Sequence, residues 1–220
     1  MRDKNGLGNI IKTVVLPIAI YYLVHQMAAI FLLQILENVG LNKEGNLWGI
    51  CAKMLAMILA GLAVVPFYHR TEGKRNLAIR NVIFVLMAGA VFSLGINYLF
   101  FITGLTGSSE TYTQVAQAQF SYALFPALVF YGVVSPMVEE LVFRGIVYSS
   151  LKENTSKVFA VIFSALLFGA IHGNLVQMLY GTIMGGIMAI LYEKYKNLLA
   201  PVFFHGAANV AIYICTYPVS

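Results

Sequence analysis

An all-α, polytopic membrane helix bundle is the fold class the sequence predicts, and three observations predict it. Of 220 residues, 60% are hydrophobic and only 10% charged, whereas soluble domains carry about 25% charged residues. The apolar residues come in long runs, and about 20 such residues are needed to cross a bilayer. The basic residues fall mostly in the short stretches between those runs. Such a distribution sets topology, so the net charge of +5 does not indicate a nucleic-acid partner.

The elements follow in order. MRDKNGLGNIIK puts positive charge ahead of an apolar run, as a signal peptide does. The run is too long for one and lacks a small-residue cleavage site, so 13–36 is predicted as a retained spanning helix. Helices over 48–68 and 82–103 come next. The polar stretch TGSSETYTQVAQAQ at 106–119 predicts an extracytoplasmic connection. The following run, 120–134, reaches Ser135-Pro136, an N-cap residue before a proline at the first helical position. That predicts a helix kinked or broken at Pro136, with a second piece from 136 to about 151. Helices over 158–172, 175–192 and 198–215 complete about seven spans. The expected organisation is one integrated domain, with an N-terminal three-helix membrane part (1–103), a polar connection (104–119) and a C-terminal helix bundle (120–220). Cys51 and Cys215 are isolated in apolar runs and give neither a disulfide nor a CxxC metal pair.

Orientation follows from the cations. A cytoplasmic N-terminus puts Arg2, Lys4, Lys12, Arg70, Lys74, Arg75, Arg80, Lys152, Lys157, Lys194 and Lys196 inside and only Lys43 and Lys53 outside. That is a clear positive-inside bias, and it places the C-terminus, Tyr217 to Ser220, outside. Arg144 falls within a helix.

The second half holds costly polar residues. Glu139 and Glu140 sit in SPMVEELVFRGIVY, His172 ends FSALLFGAIH, and His205 and Asn209 lie four apart in PVFFHGAANVAIY, hence on one helical face. At about 1.5 Å per residue, Glu139 lies about 20 Å in from Lys152 and His172 about 22 Å in from Lys157. Asn209 and His205 lie about 20 and 13 Å in from Lys196. Three helices thus bring polar groups to one layer, where such residues normally face a bundle interior or a water-filled cavity and mark function.

A carboxylate beside a histidine can hold a water and take its proton. A second histidine and an amide can donate to the oxyanion that develops. Together they point to peptide or ester hydrolysis. Glu139, His172 and His205 would equally make a two-histidine, one-carboxylate zinc set with an open position, although HExxH is absent and asparagine is a poor zinc ligand. Arg144 follows Glu140 by four residues, the spacing of a same-face ion pair. The doublet therefore divides: Glu140 pairs with Arg144, while Glu139 points about 100° away and is free for chemistry.

These residues resemble the motifs of the CPBP family of intramembrane endopeptidases, also called the Abi or CAAX-protease-like family. EExxxR is present as Glu139-Glu140-Leu-Val-Phe-Arg144, FxxxH as Phe168 to His172 and HxxxN as His205 to Asn209. The resemblance covers roughly residues 120–215. It implies proteolysis within the membrane by a glutamate-activated water, with Glu139 the general base and His172 holding and polarising the water. It further implies an oxyanion site of His205 and Asn209, with Glu140 and Arg144 in support. Family members have also been described as metalloproteases, so a divalent metal such as zinc stays open. Eukaryotic relatives cleave prenylated CAAX proteins, and bacterial ones are associated with bacteriocin immunity and peptide processing. The expected substrate is a peptide or membrane protein, lipid-modified or not, and the expected location is a bacterial plasma membrane.

Two other classes compete. A non-catalytic membrane immunity or binding protein would use the same residues only to hold the bundle together. A transporter would use them as ion sites, but no inverted repeat is visible. Elsewhere, packing readings prevail. His25-Gln26 and Asn97 read as interhelical hydrogen-bonders, Phe168 as a packing residue, and Gly181, Gly185 and Gly186 as a close-packing face. HRTEGKR at 69–75 reads as a loop that sets orientation. The small residues Gly169, Gly173, Gly206, Ala207 and Ala208 imply a cavity.

Overall fold

The computed structural model describes residues 7–41, 47–69, 76–107 and 109–216. Arg2, Lys4, Lys43, Arg70, Lys74, Arg75 and Tyr217 to Ser220, on which part of the orientation reading rests, lie outside the described residues.

Among the described residues every regular element is helical. The order is α1 Gly8–Asn38, α2 Leu47–Phe67, α3 Ile79–Ile102, α4 Glu110–Phe120, α5 Leu124–Asn154, α6 Lys157–Ala170, α7 Leu175–Tyr195 and α8 Leu199–Thr216. Helices α1, α2, α3, α5 and α7 are long and apolar enough to cross a membrane, and α6 and α8 are shorter apolar helices. The bundle is thus polytopic, with five full-length candidate spans and two shorter apolar helices where seven spans were expected. At 14 residues, α6 is about 21 Å long, less than the roughly 30 Å hydrocarbon core. The polar connection contains α4, capped by Ser109, whose hydroxyl accepts from the Tyr112 amide at 3.2 Å.

Helix α3 packs chiefly on α8, α6 on α7, and α1 on α2. Glycine makes the closest approaches. A Cβ on Gly185 of α7 would lie 3.2 Å from the Ala165 Cα of α6, and one on Gly169 of α6 would lie 2.5 Å from the Met178 carbonyl of α7. Gly89 of α3 meets the Phe204 carbonyl of α8, and Gly206 of α8 meets that of Gly132 on α5, each too closely for any side chain. Gly181 and Gly185 of α7 therefore pack as expected, whereas Gly186 faces open space. Gly169 and Gly206, expected to open a cavity, close helix contacts instead.

Helix α5 runs unbroken through Pro136, and Ser135 has helical backbone angles, so it is not a cap. The expected break at Pro136 is absent, and π-helical stretches flank it at Phe130–Val134 and Leu141–Tyr148. Single π turns of this kind are rare and recur at functional sites. They have a local consequence here. The Ser135 amide bonds the Phe130 carbonyl, five residues back. In the same register the Tyr131 carbonyl would need the amide of Pro136, which has no N–H.

Candidate active site

The centre is built on α5, and its charges are almost wholly buried: Glu140 and Arg144 are 0% exposed and Glu139 9%. Arg144 Nη1 donates to Glu140 Oε1 at 2.9 Å, the i,i+4 pair read from spacing, and Nη2 donates to the Gly185 carbonyl at 2.9 Å. The guanidinium also stacks over the Phe168 ring, 4.6 Å from its centroid. A buried guanidinium requires this kind of pairing.

His205 on α8 joins the pair. Its Nδ1 lies 2.9 Å from the same Glu140 Oε1, while its Nε2 lies 3.8 Å from Glu139 Oε2. A carboxylate oxygen can only accept, so Nδ1 carries the proton in that bond. Glu140 is therefore more than the partner of Arg144: it orients a motif histidine. The 3.8 Å separation to Glu139 exceeds a direct hydrogen bond. Glu139 Oε1 accepts instead a short hydrogen bond from the Ser135 hydroxyl, so the serine mistaken for a cap holds the carboxylate.

His172 follows the C-terminus of α6, where the last carbonyls of a helix lack intrahelical donors. Its Nδ1 lies 2.9 Å from one of these, that of Phe168. A carbonyl can only accept, so Nδ1–H donates and Nε2 is left as an acceptor. Gly173, at φ +77°, turns the chain, and Asn174 Oδ1 then caps α7 by accepting from the Gln177 amide at 2.9 Å. Phe168 separates the histidines, edge-to-face with His172 at 5.1 Å and with His205 at 5.6 Å between ring centroids. It packs, as expected, and what it packs against is the site itself.

Asn209 Nδ2 donates to the Tyr131 carbonyl at 2.9 Å, the acceptor left over by Pro136. One amide proton of Asn209 is thereby used and a second remains.

Glu139, His172, His205 and Asn209 line one cavity of about 280 Å³. The structure brings together all four residues singled out by sequence. Glu140 and Arg144 lie behind them, buried. The same cavity is lined by Ser135, His25, Asn97, Gln177 and Tyr180. His25 stacks parallel to Tyr21 in its own helix, with centroids 6.1 Å apart. Asn97 donates to the Ser93 carbonyl of its own helix. The interhelical bonds expected of both are not found among the described residues. A lone polar residue on an apolar helix has no period to reveal which way it faces. For Ser135 a usable signal was present: its i,i+4 spacing to Glu139.

The zinc reading is not supported: among the described residues no group of three or more His, Cys, Asp or Glu is arranged to hold a metal ion.

An all-helical membrane bundle with a glutamate, two histidines and an amide around an internal cavity defines a class of membrane protein with a buried polar centre. Residues 121–211 match the family described as type II CAAX prenyl endopeptidase Rce1-like. The chain is also 26% identical over 215 residues, 90% of its own length and 86% of the other's, to the Bacillus subtilis (strain 168) protein named "Putative membrane peptidase YdiL". Both findings support the resemblance that the three motifs carry, to the CPBP family of proteases. No solved structure matches the chain.

Proposed function

We propose that the protein is an intramembrane endopeptidase in which Glu139 activates a water. The observation that carries this reading is the convergence of Glu139, His172, His205 and Asn209, from three separate parts of the chain, on one internal cavity. The family match and the similarity to a protein named as a membrane peptidase support it.

The chemistry follows from the roles left to each group. Glu139 presents Oε2 toward the cavity while Ser135 holds Oε1. His172 offers Nε2 as an acceptor. A water held by these two gives a proton to Glu139 as its oxygen attacks the peptide carbonyl. His205, through Nε2–H, and the second amide proton of Asn209 receive the oxyanion. Collapse of the intermediate breaks the C–N bond, and Glu139 passes its proton to the leaving amine. With both ring protons on His205, the charges of Glu139, Glu140, Arg144 and His205 sum to zero.

The substrate class is a peptide or membrane-protein segment within the bilayer. A bacterial plasma membrane with the N-terminus cytoplasmic agrees with the cation distribution. The test is cleavage of a fluorogenic peptide panel by wild type and Glu139→Gln in detergent. Wild-type cleavage and its loss in a folded Glu139→Gln support the reading, and cleavage retained by that variant overturns it.

A further inference from the structure

Beyond the reacting groups, the cavity has a second polar wall that the proposed hydrolysis does not use. Gln177 and Tyr180 lie three apart on α7, hence on one face, and both line the cavity, as does Asn97 of α3. The Tyr180 hydroxyl is buried and makes no hydrogen bond. Ser93 is nearby, and its hydroxyl donates to the Ala90 carbonyl at 2.9 Å; it keeps acceptor capacity, but Tyr180 makes no bond to it. Gln177 accepts from Asn174 through Oε1, which leaves its amide N–H groups. Asn97 donates through Nδ2, which leaves its carbonyl oxygen. A buried polar group without a partner is costly; the Tyr180 hydroxyl is one, and half-buried Gln177 and Asn97, with hydrogen-bonding capacity to spare, share its cavity.

We infer that Tyr180, Gln177 and Asn97 form a main-chain recognition subsite, which hydrogen-bonds the exposed amides of an extended, uncharged substrate segment beside Glu139. The inference rests on the peptidase reading and names its substrate class. A peptide bond can be attacked only after the substrate backbone leaves its helix. At membrane depth every N–H and C=O so freed needs a partner. Hydroxyl and amide groups supply both donors and acceptors, which suits a backbone and no particular side chain. Among the described residues no lysine or arginine lines the cavity, and the His205 imidazolium is already set against Glu139 and Glu140, so no spare fixed cation awaits a substrate carboxylate. That favours an internal stretch of chain over a free C-terminus.

The experiment uses the full-length protein in detergent and labelled, uncharged, apolar peptides, each made also with single backbone esters in place of amides. An ester removes the N–H and weakens the carbonyl acceptor. Binding is read by fluorescence anisotropy in a Glu139→Gln background, where the peptide stays intact, and cleavage with Glu139 present. Adding Tyr180→Phe, which keeps the ring, should weaken binding about tenfold, the size of one lost hydrogen bond. One ester position should weaken binding when Tyr180 is present and have no effect in the Tyr180→Phe variant. Gln177→Met should behave alike at a neighbouring position. Peptides that bind with this ester pattern but are not cleaved sustain the subsite and sink the hydrolase. Cleavage without any effect of Tyr180→Phe or Gln177→Met sinks the subsite and spares the hydrolase. Failure of the whole panel to bind overturns the inference.

Discussion

His205 Nδ1 and Arg144 Nη1 meet on a single oxygen, Glu140 Oε1, each at 2.9 Å. Glu140 thus links a structural cation on its own helix to a motif histidine 65 residues away. Glu139, its neighbour in sequence, turns to the cavity. Two adjacent carboxylates have separate tasks because one helical step rotates them by about 100°.

The two glutamates should therefore fail differently. Glu140→Gln leaves a fully buried Arg144 without its counter-charge, and breaking such a pair costs about 3–5 kcal/mol. Glu139→Gln removes a charge that faces the cavity. Thermal melts in detergent should show a clear drop for the first variant and a small change for the second. Equal melting temperatures would refute the division of roles.

Ser135 should matter for rate and little for folding. Its hydroxyl donates to Glu139, and bonds to charged groups contribute about 1.5–3 kcal/mol. Ser135→Ala is expected to lower kcat/KM by about tenfold or more. Ser135→Thr, which keeps the donor, should restore most of it.

Asn209 and Pro136 should be coupled. Asn209→Ala strands the Tyr131 carbonyl, at about 1–3 kcal/mol. Pro136→Ala supplies an amide that can fill that acceptor. Stability loss from Asn209→Ala should accordingly shrink in the Pro136→Ala background, while the activity loss persists. A double-mutant cycle of melts and rates measures both. Strict additivity of the two stability effects would contradict the link.

Gly169→Ala should loosen the α6–α7 pair. The added methyl falls 2.5 Å from the Met178 carbonyl, and such overpacking costs about 1–3 kcal/mol. Because His172 stands just beyond α6, cleavage should fall more than stability does. Gly186→Ala, whose methyl meets nothing within 4 Å, is the control and should melt like wild type.

Much of the candidate site was legible because periodicity carries it. The Glu140–Arg144 pair and the His205–Asn209 face follow from i,i+4 spacing, and the common layer follows from counting rise per residue. Ser135 was misread because Ser-Pro is also the signature of a helix start. In this chain the helix continues and the hydroxyl is taken by Glu139. The bounds of α6 were legible to within two residues (158–172 expected, Lys157–Ala170 found), because Gly173 at φ +77° ends the run.

By itself the sequence determined a membrane-embedded helical bundle and the identity of its costly polar residues, since apolar run length and helical period are local properties. The tertiary structure alone decided that His205 bonds Glu140 and stands beside Glu139, and that Asn209 serves the carbonyl abandoned by Pro136. It also decided that Tyr180, Gln177 and Asn97 share the cavity with Glu139. Those relations depend on how helices rotate against one another, which is settled by contacts between residues far apart in the chain, such as Asn209 and Tyr131, 78 residues apart.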